Sequence, residues 1–251
     1  MNAASQVTNQ ATSLNIALIG YGKMGKAIEE IALQKGHKIV LKIDINTIQE
    51  FTARHLQRCD VAIEFTSPHS AVDNILKCLE AGVPVVSGST GWLDQWEKVK
   101  KSCEDLDGSM VYASNYSVGV NIFFEINNLL ARLMDQHTDY DVSLEEIHHT
   151  EKRDAPSGTA ITLAEQILQN LSRKKKWVNN AALTTEELPI ISERIDPAPG
   201  THKIKYSSPI DDIEIIHTAH NRKGFATGAV LAAEYIHSRK GIFSMKEVLG
   251  F

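Results

Sequence analysis

Residues 14–25 constrain this chain more than any other stretch. An apolar run, Leu14-Asn15-Ile16-Ala17-Leu18-Ile19, passes directly into Gly20-Tyr21-Gly22-Lys23-Met24-Gly25, and a helical pattern follows over 26–35 up to Gly36. A buried strand that turns this sharply into a helix needs small residues at three places. The first glycine makes the turn, the second leaves the backbone open, and the third lets the helix lie close to the strand. Glycine-rich turns are common. One that leaves a strand and opens a helix is the setting in which free N–H groups hold a dinucleotide pyrophosphate. The alternative is a tight strand–helix turn with no ligand.

The next elements favour the ligand. The strand expected over 38–44 ends on Asp44, where a carboxylate accepts hydrogen bonds from adenosine ribose hydroxyls. Residues 60–65 read as a third strand ending at Phe65. A helix over 68–81 has Pro68 near its start and Gly82 past its end. Strands over 83–86 and 110–112 flank a helix over 93–106. Strands alternating with helices make a parallel sheet. The fold class expected is therefore α/β, with a Rossmann-like nucleotide-binding domain. The turns Gly88-Ser89-Thr90-Gly91 and Ala113-Ser114-Asn115-Tyr116-Ser117 fall at carboxyl ends of strands, where ligands of such sheets sit. Cofactor contacts are expected from Gly20 to Gly25, Asp44, Phe65, Gly88, Ser89, Thr90, Ala113, Ser114, Asn115 and Tyr116.

After Ser117 the pattern changes. A helix is expected over 120–134, an extended run over 141–147 and a helix over 158–171. Strands follow over 190–195, 201–207 and 212–219 with no helices between them. This is an α+β arrangement, an open mixed sheet with a helix pair on one face. A last amphipathic helix covers 225–238. The division expected is a discontinuous dinucleotide-binding domain, 1–118 plus 222–251, around a substrate-binding and oligomerisation domain, 119–221.

The chemistry concentrates in Glu146-Ile147-His148-His149-Thr150-Glu151-Lys152-Arg153-Asp154-Ala155-Pro156-Ser157-Gly158-Thr159-Ala160. Two imidazoles, a lysine and an arginine lie close together. Pro156 then leads into a helix whose first turn, Ser157-Gly158-Thr159, offers bare N–H groups, two hydroxyls and the positive end of a dipole. Such a turn suits a carboxylate, and Lys152 adds a full positive charge, so a small dianion is the expected substrate. His148 and His149 have three readings. As metal ligands they lack a cysteine or a third histidine nearby in sequence, and adjacent strand residues point to opposite faces. They can be structural. They can also do acid/base work, because imidazole titrates near neutral pH.

Composition excludes several classes. A net charge of −5 gives no basic field for nucleic acid, and no stretch approaches the 18 apolar residues a membrane span requires. Cys59, Cys78 and Cys103 form no CxxC pair, which points to a reducing, cytoplasmic setting without a disulfide framework or zinc site. The basic run Arg173-Lys174-Lys175-Lys176 reads as a solvated helix end. Residues 1–13 read as a loose polar tail and not as a signal peptide.

The run from Glu146 to Ala160 resembles the signature E-x-H-H-x-x-K-x-D-A-P-S-G-T-A of the dihydrodipicolinate reductases (4-hydroxy-tetrahydrodipicolinate reductases) of bacterial lysine biosynthesis, and matches it at every fixed position. The glycine loop, Gly88 to Gly91, Ala113 to Val120, Gly200-Thr201-His202, His217 to Arg222 and Phe225 to Ala229 agree in order. The resemblance implies an NAD(P)H-dependent oxidoreductase of the diaminopimelate route. It implies His148 as the acid, assisted by Lys152, and His149, Ser157, Gly158 and Thr159 as the grip on substrate carboxylates. It implies Arg222 and Phe225 as further cofactor contacts, and a homotetramer. Three departures bear on the cofactor: Lys23 in a short loop, Ile45 after Asp44, and Ser67, where the family often has arginine in each place. With Asp44 on the ribose and only Lys23 and Lys42 as nearby cations, NADH is expected to be preferred or equal, with NADPH still accepted.

Overall fold

The computed structural model describes residues 12–221 and 223–251. Arg222 and nearly all of the polar tail lie outside the described residues. The contacts divide the described chain into two compact units, 12–111 with Val230–Ile242, and Tyr112–Ala229 with Phe243–Phe251.

The first half alternates as expected: β1 Asn15–Ile19, α1 Lys23–Gln34, β2 Lys38–Ile43, α2 Ala53–Leu56, β3 Val61–Glu64, α3 Pro68–Glu80, β4 Val85–Ser87, α4 Trp96–Asp105 and β5 Ser109–Tyr112. The chain continues through α5 Val118–Met134, β6 Asp141–His148, α6 Gly158–Asn170, β7 Lys176–Val178, β8 Glu187–Arg194, β9 Gly200–Ser207 and β10 Asp212–Ala219. It ends with α7 Lys223–Ile236, β11 Gly241–Phe243 and α8 Met245–Leu249.

The first sheet has the order β11-β5-β4-β3-β1-β2, with β1 parallel to both β2 and β3 and β3 parallel to β4. Its central strands are apolar runs because both faces are covered; every residue of β3 is buried. From Val230 onward α7 belongs to this unit, where Glu234 pairs with His37 Nε2 at 2.9 Å. All three cysteines are buried and free.

The second sheet has the order β10-β9-β6-β8-β7 and is mixed: β6 runs parallel to β8 and antiparallel to β9. Strict alternation along β6 buries Val142, Leu144, Glu146 and His148 on one face. Val142 and Leu144 join Phe123, Phe124, Leu163 and Ile167 of α5 and α6 in one apolar cluster. The same alternation carries Glu146 and His148, polar residues at apolar positions, to the inner face of the sheet.

One expectation fails here. Arg173 to Lys176 is not a solvated helix end, because α6 stops at Asn170. Arg173 donates to the carbonyls of Met134 (3.0 Å) and Tyr140 (2.8 Å). Lys174 is buried, with Nζ on the Glu187 carbonyl at 2.8 Å and on Asp141 Oδ1 at 2.6 Å. The cations satisfy carbonyls and an acid left over where α5 ends and strands begin, a tertiary use that a charge run does not reveal.

Candidate active site

The glycine loop does what its spacing requires. Gly20 has φ +93, and a Cβ there would fall 2.0 Å from the Phe65 carbonyl oxygen. A Cβ on Gly25 would come within 2.3 Å of the Gly20 carbonyl oxygen, so α1 approaches the turn as closely as the backbone permits. Gly22 differs, since a Cβ would meet no described atom within 4 Å. The fold does not need glycine at that position; a ligand lying against the backbone would. Gly22 is also the N-cap of α1 and makes no side-chain capping bond. The first N–H groups of α1 are thus left for an anion.

A cavity of about 800 Å³ opens beside the loop, lined among others by Gly20, Tyr21, Gly22, Asp44, Phe65 and Ser67. Asp44 is already oriented: its Oδ1 accepts from the N–H groups of Asn46 (2.7 Å) and Thr47 (3.2 Å). Lys42 is committed elsewhere. Its Nζ lies 2.6 Å from Glu29 Oε1 and 4.8 Å from the centre of the Tyr21 ring. Lys23 is exposed and follows Gly22 directly, and Met24 after it is half-buried in the first turn of α1. Gly88 lies flat against the Phe65 ring, which a Cβ would approach to 2.1 Å. Ser89 is buried and serves the protein: its hydroxyl donates to Glu64 Oε1 at 2.8 Å and accepts from the Thr66 N–H at 2.8 Å. Thr90 is exposed.

The turn after β5 belongs to the second unit. Ser114 is exposed and Ala113 half-buried, while Asn115 and Tyr116 are buried. Asn115 Oδ1 accepts from the Ser117 N–H at 2.8 Å, and its amide donates to Thr159 Oγ1 at 3.3 Å. Phe225, in the first turn of α7, is half-buried.

The second cluster forms around Glu146, which is fully buried. Its Oε1 accepts from the Ser157 N–H (3.0 Å) and from Arg194 (3.3 Å). Its Oε2 faces His148 Nε2 at 3.3 Å and His202 Nε2 at 3.6 Å. Oε2 and His148 Nε2 are buried, and neither meets hydrogen-bond geometry with any of the described residues. Burial by itself would push the Glu146 carboxyl up, but the contacts from His148, His202 and Ser157 outweigh it and hold the group far below the usual carboxylate range. His202 goes the other way: burial pushes its imidazole down despite Glu146. Its Nε2 also lies 3.2 Å from Ser157 Oγ, and its ring meets that of His148 edge to face at 5.2 Å.

The surrounding loop is stapled in place. Arg194 donates to the carbonyls of Lys152 (3.2 Å), Asp154 (2.5 Å) and Glu193 (2.7 Å). Thr150 Oγ1 donates to Asp196 Oδ2 at 2.6 Å. Lys152 Nζ is held by both carboxylate oxygens of Asp154 at 2.8 Å, a pair that a substrate carboxylate would have to replace. His149 is half-buried and lies just past the end of β6, outside the strand.

The first turn of α6 divides its labour. The Ser157 side chain is consumed as N-cap, accepting from the Ala160 N–H at 3.2 Å. Gly158 is exposed, and a Cβ there would meet no described atom within 4 Å. The backbone of Gly158 and Thr159, with the Thr159 hydroxyl beside it, is therefore the part of this turn that could receive an anion. The donor atoms of Glu146, His148 and His202 lie within 4.8 Å of one another, a set of metal-ligand type. His202 is thus the third imidazole that the sequence neighbourhood lacked, although Arg194 on the same carboxylate opposes a cation.

Sequence reasoning left Glu146 and Arg194 without a role, and named His202 only as part of a family-like segment. A glutamate at an apolar position of a strand was the available signal for the first. Arg194 and His202 carry no local signal.

Comparison with known proteins agrees across the chain. The family description "Dihydrodipicolinate reductase, N-terminus" matches residues 14–116, and "Dihydrodipicolinate reductase, C-terminus" matches residues 119–249. A 4-hydroxy-tetrahydrodipicolinate reductase of Christiangramia forsetii is 51% identical over 236 residues, covering 94% of this chain and 98% of the relative. One from Chromobacterium violaceum is 33% identical over 267 aligned residues, covering 95% and 99%. Among solved structures, a dipicolinate-bound dihydrodipicolinate reductase from Paenisporosarcina sp. TG-14 superposes with a TM-score of 0.77 at 22% identity, covering 94% of this chain and 99% of the other, a likeness of fold. With both halves of the chain matched, and half its residues identical to a relative along nearly the whole length, the chain belongs to the dihydrodipicolinate reductase family.

Proposed function

We propose that this chain catalyses the NAD(P)H-dependent reduction of 4-hydroxy-tetrahydrodipicolinate to tetrahydrodipicolinate. The observation that carries the proposal is the cluster at the end of β6. The one run that matches the family signature throughout folds into a buried Glu146–His148–His202 group against a helix start left open at Gly158. The 4-hydroxyl of the substrate leaves as water, which gives a cyclic C=C–C=N dicarboxylate, and a reduced nicotinamide held at the glycine loop would supply the hydride that its ring C4 takes. The carbon next to C4 then takes a proton, assigned to His148 with help from Lys152. The backbone of Gly158 and Thr159 holds one carboxylate, and Lys152, released from Asp154, faces the dianion.

The nucleotide site is assigned to the glycine loop, Asp44, Phe65, Gly88 and Thr90, with Ala113 to Tyr116, Arg222 and Phe225 as further contacts. NADH is the preferred cofactor in this reading. Asp44 is held as a ribose acceptor and Lys42 is bound to Glu29, which leaves Lys23 as the cation for a 2′-phosphate. Ile191, Ile213 and Ile216, exposed on β8 and β10, support the reading of the second unit as an oligomerisation domain, with a tetramer as the assembly. The domain division proposed is 1–118 plus 222–251 around 119–221, in a cytoplasmic enzyme; the compact units differ from it in grouping 112–118, 223–229 and 243–251 with the second. Among the described residues no helix is long and apolar enough to cross a membrane.

The test is direct. Purified protein should oxidise NADH when a fresh condensation product of pyruvate and aspartate semialdehyde is present, and not with either precursor alone. Oxidation that is independent of the condensation product would remove the assignment.

A further inference from the structure

We infer that Glu146 is a positioning residue for His148, and that Gly200 keeps clear the ring edge from which the proton leaves. The inference rests on the proposed role of His148 as the acid. Glu146 and His148 are both on the buried face of β6, two residues apart, which sets their side chains next to one another. One carboxylate oxygen of Glu146 is fixed by the Ser157 N–H and Arg194. The other has no aligned partner and faces His148 Nε2 at 3.3 Å. An imidazole nitrogen beside a fixed carboxylate carries the proton of the neutral ring, and the opposite nitrogen becomes the one that exchanges.

Gly200 stands at the other edge. A Cβ built there would lie 2.9 Å from His148 Cε1 and 3.2 Å from Nδ1. Any larger residue at this point of β9 would cover Nδ1 or push the ring off Glu146. Two residues on, His202 fills the remaining side of the carboxylate at 3.6 Å and contacts the His148 ring. Residues 200–202 thus shape both edges of one imidazole, the first by having no side chain and the third by having one. Lys152 is tied to Asp154 and Arg194 to backbone carbonyls, so Glu146 is the anion that faces Nε2. The structure therefore assigns Nε2–H to Glu146 and proton delivery to Nδ1.

Steady-state kinetics of four forms test this: wild type, Glu146→Gln, His148→Gln and the double variant. Glu146→Gln should lower kcat by about 10- to 100-fold, as loss of an orienting partner does. KM for NADH and for the dicarboxylate should stay within about threefold. The double variant should be no slower than His148→Gln, because Glu146 acts through that ring. A Glu146→Gln kcat near wild type, or a double variant that multiplies the two losses, overturns the inference. If instead His148→Gln keeps normal kcat, the acid assignment itself fails, which is a separate outcome. Should Glu146→Gln not fold, histidine ¹⁵N spectra of the wild type decide. The His148 resonances, identified by their loss in His148→Gln, should report the Nε2–H tautomer, and an Nδ1–H tautomer overturns the inference. Gly200→Ala should lower kcat with little change in NADH affinity.

Discussion

In the first unit the groups proposed to face a ligand are mostly backbone, supplied by six consecutive residues, Gly20 to Gly25, with Asp44 at the next strand end. In the second they are side chains of β6, β8 and β9, with one backbone N–H from the loop before α6, gathered on one buried carboxylate. The proposed nucleotide site would work by omitting side chains, so that a phosphate could reach N–H groups. The cluster at Glu146 works by adding polar groups to a place that would otherwise be core, where each must be satisfied by another. A backbone site tolerates drift in its surroundings and fails at single glycines. A buried polar cluster fails when any one member is lost, because each is the partner that satisfies another.

The largest expected effect separates the two regions by chemistry. His148→Gln should lower kcat by about 10²–10⁴-fold while leaving NADH affinity nearly unchanged. Binding of NADH is followed by fluorescence titration, and a matching loss of affinity would mean that the two sites are not independent. Next come two glycines of one loop. Gly25→Ala puts a Cβ 2.3 Å from a backbone oxygen and should destabilise the protein by about 1–3 kcal/mol. Gly22→Ala meets nothing and should leave the melting temperature unchanged, yet weaken NADH binding by about tenfold. Equal melting losses in both variants would remove the distinction between a glycine kept for packing and one kept for a ligand.

A third measurement, stability against pH, sharpens the contrast. In the folded chain the imidazoles of His202 and His217 are pushed down from their ordinary value of 6.5, chiefly by burial. The unfolded chain therefore binds those protons first, and stability present above about pH 6.5 declines as the pH falls. The Glu146 carboxyl is also held down, from an ordinary 4.5, so its contribution is full above that value and lost on further acidification. All three groups lie in the second unit, so the protection of amides in 112–229, taken relative to their intrinsic exchange rate at each pH, should fall on acidification before that of β1 to β4 does. Uniform loss across both units would contradict this. The smallest effect concerns the cofactor. Lys23→Ala should reduce kcat/KM for NADPH a few-fold at low salt and leave NADH alone. A wild-type preference for NADPH of tenfold or more, about 1.4 kcal/mol, would break the ribose reading of Asp44.

Much of the fold was legible because it rests on periodicity. The spans of α3, α5, α6, β6 and β10 lie within a few residues of those expected from apolar spacing and from Pro68, Gly36 and Gly82. The short elements α2, β7, β11 and α8 were missed, since so few positions carry no period, whereas β3, β4 and β5, equally short, were legible as apolar runs alternating with helices. Arg173 to Lys176 misled, because a charge run gives no sign of carbonyls waiting to be satisfied.

The sequence by itself determined the glycine loop, the acid at the end of β2, the open turn at Gly158 and the inward alternation of Glu146 and His148. Each depends only on neighbours a few positions away, through backbone geometry and the two-residue period of a strand. Only the tertiary structure decided that Arg194 reaches Glu146, that His202 and Gly200 bound the His148 ring, and that Ser157 is spent as a cap. It also decided that Lys42 is lost to Glu29. These pairings join side chains across strands whose register is fixed by packing the whole sheet against α5 and α6, and no local pattern encodes which residue a register will bring opposite another.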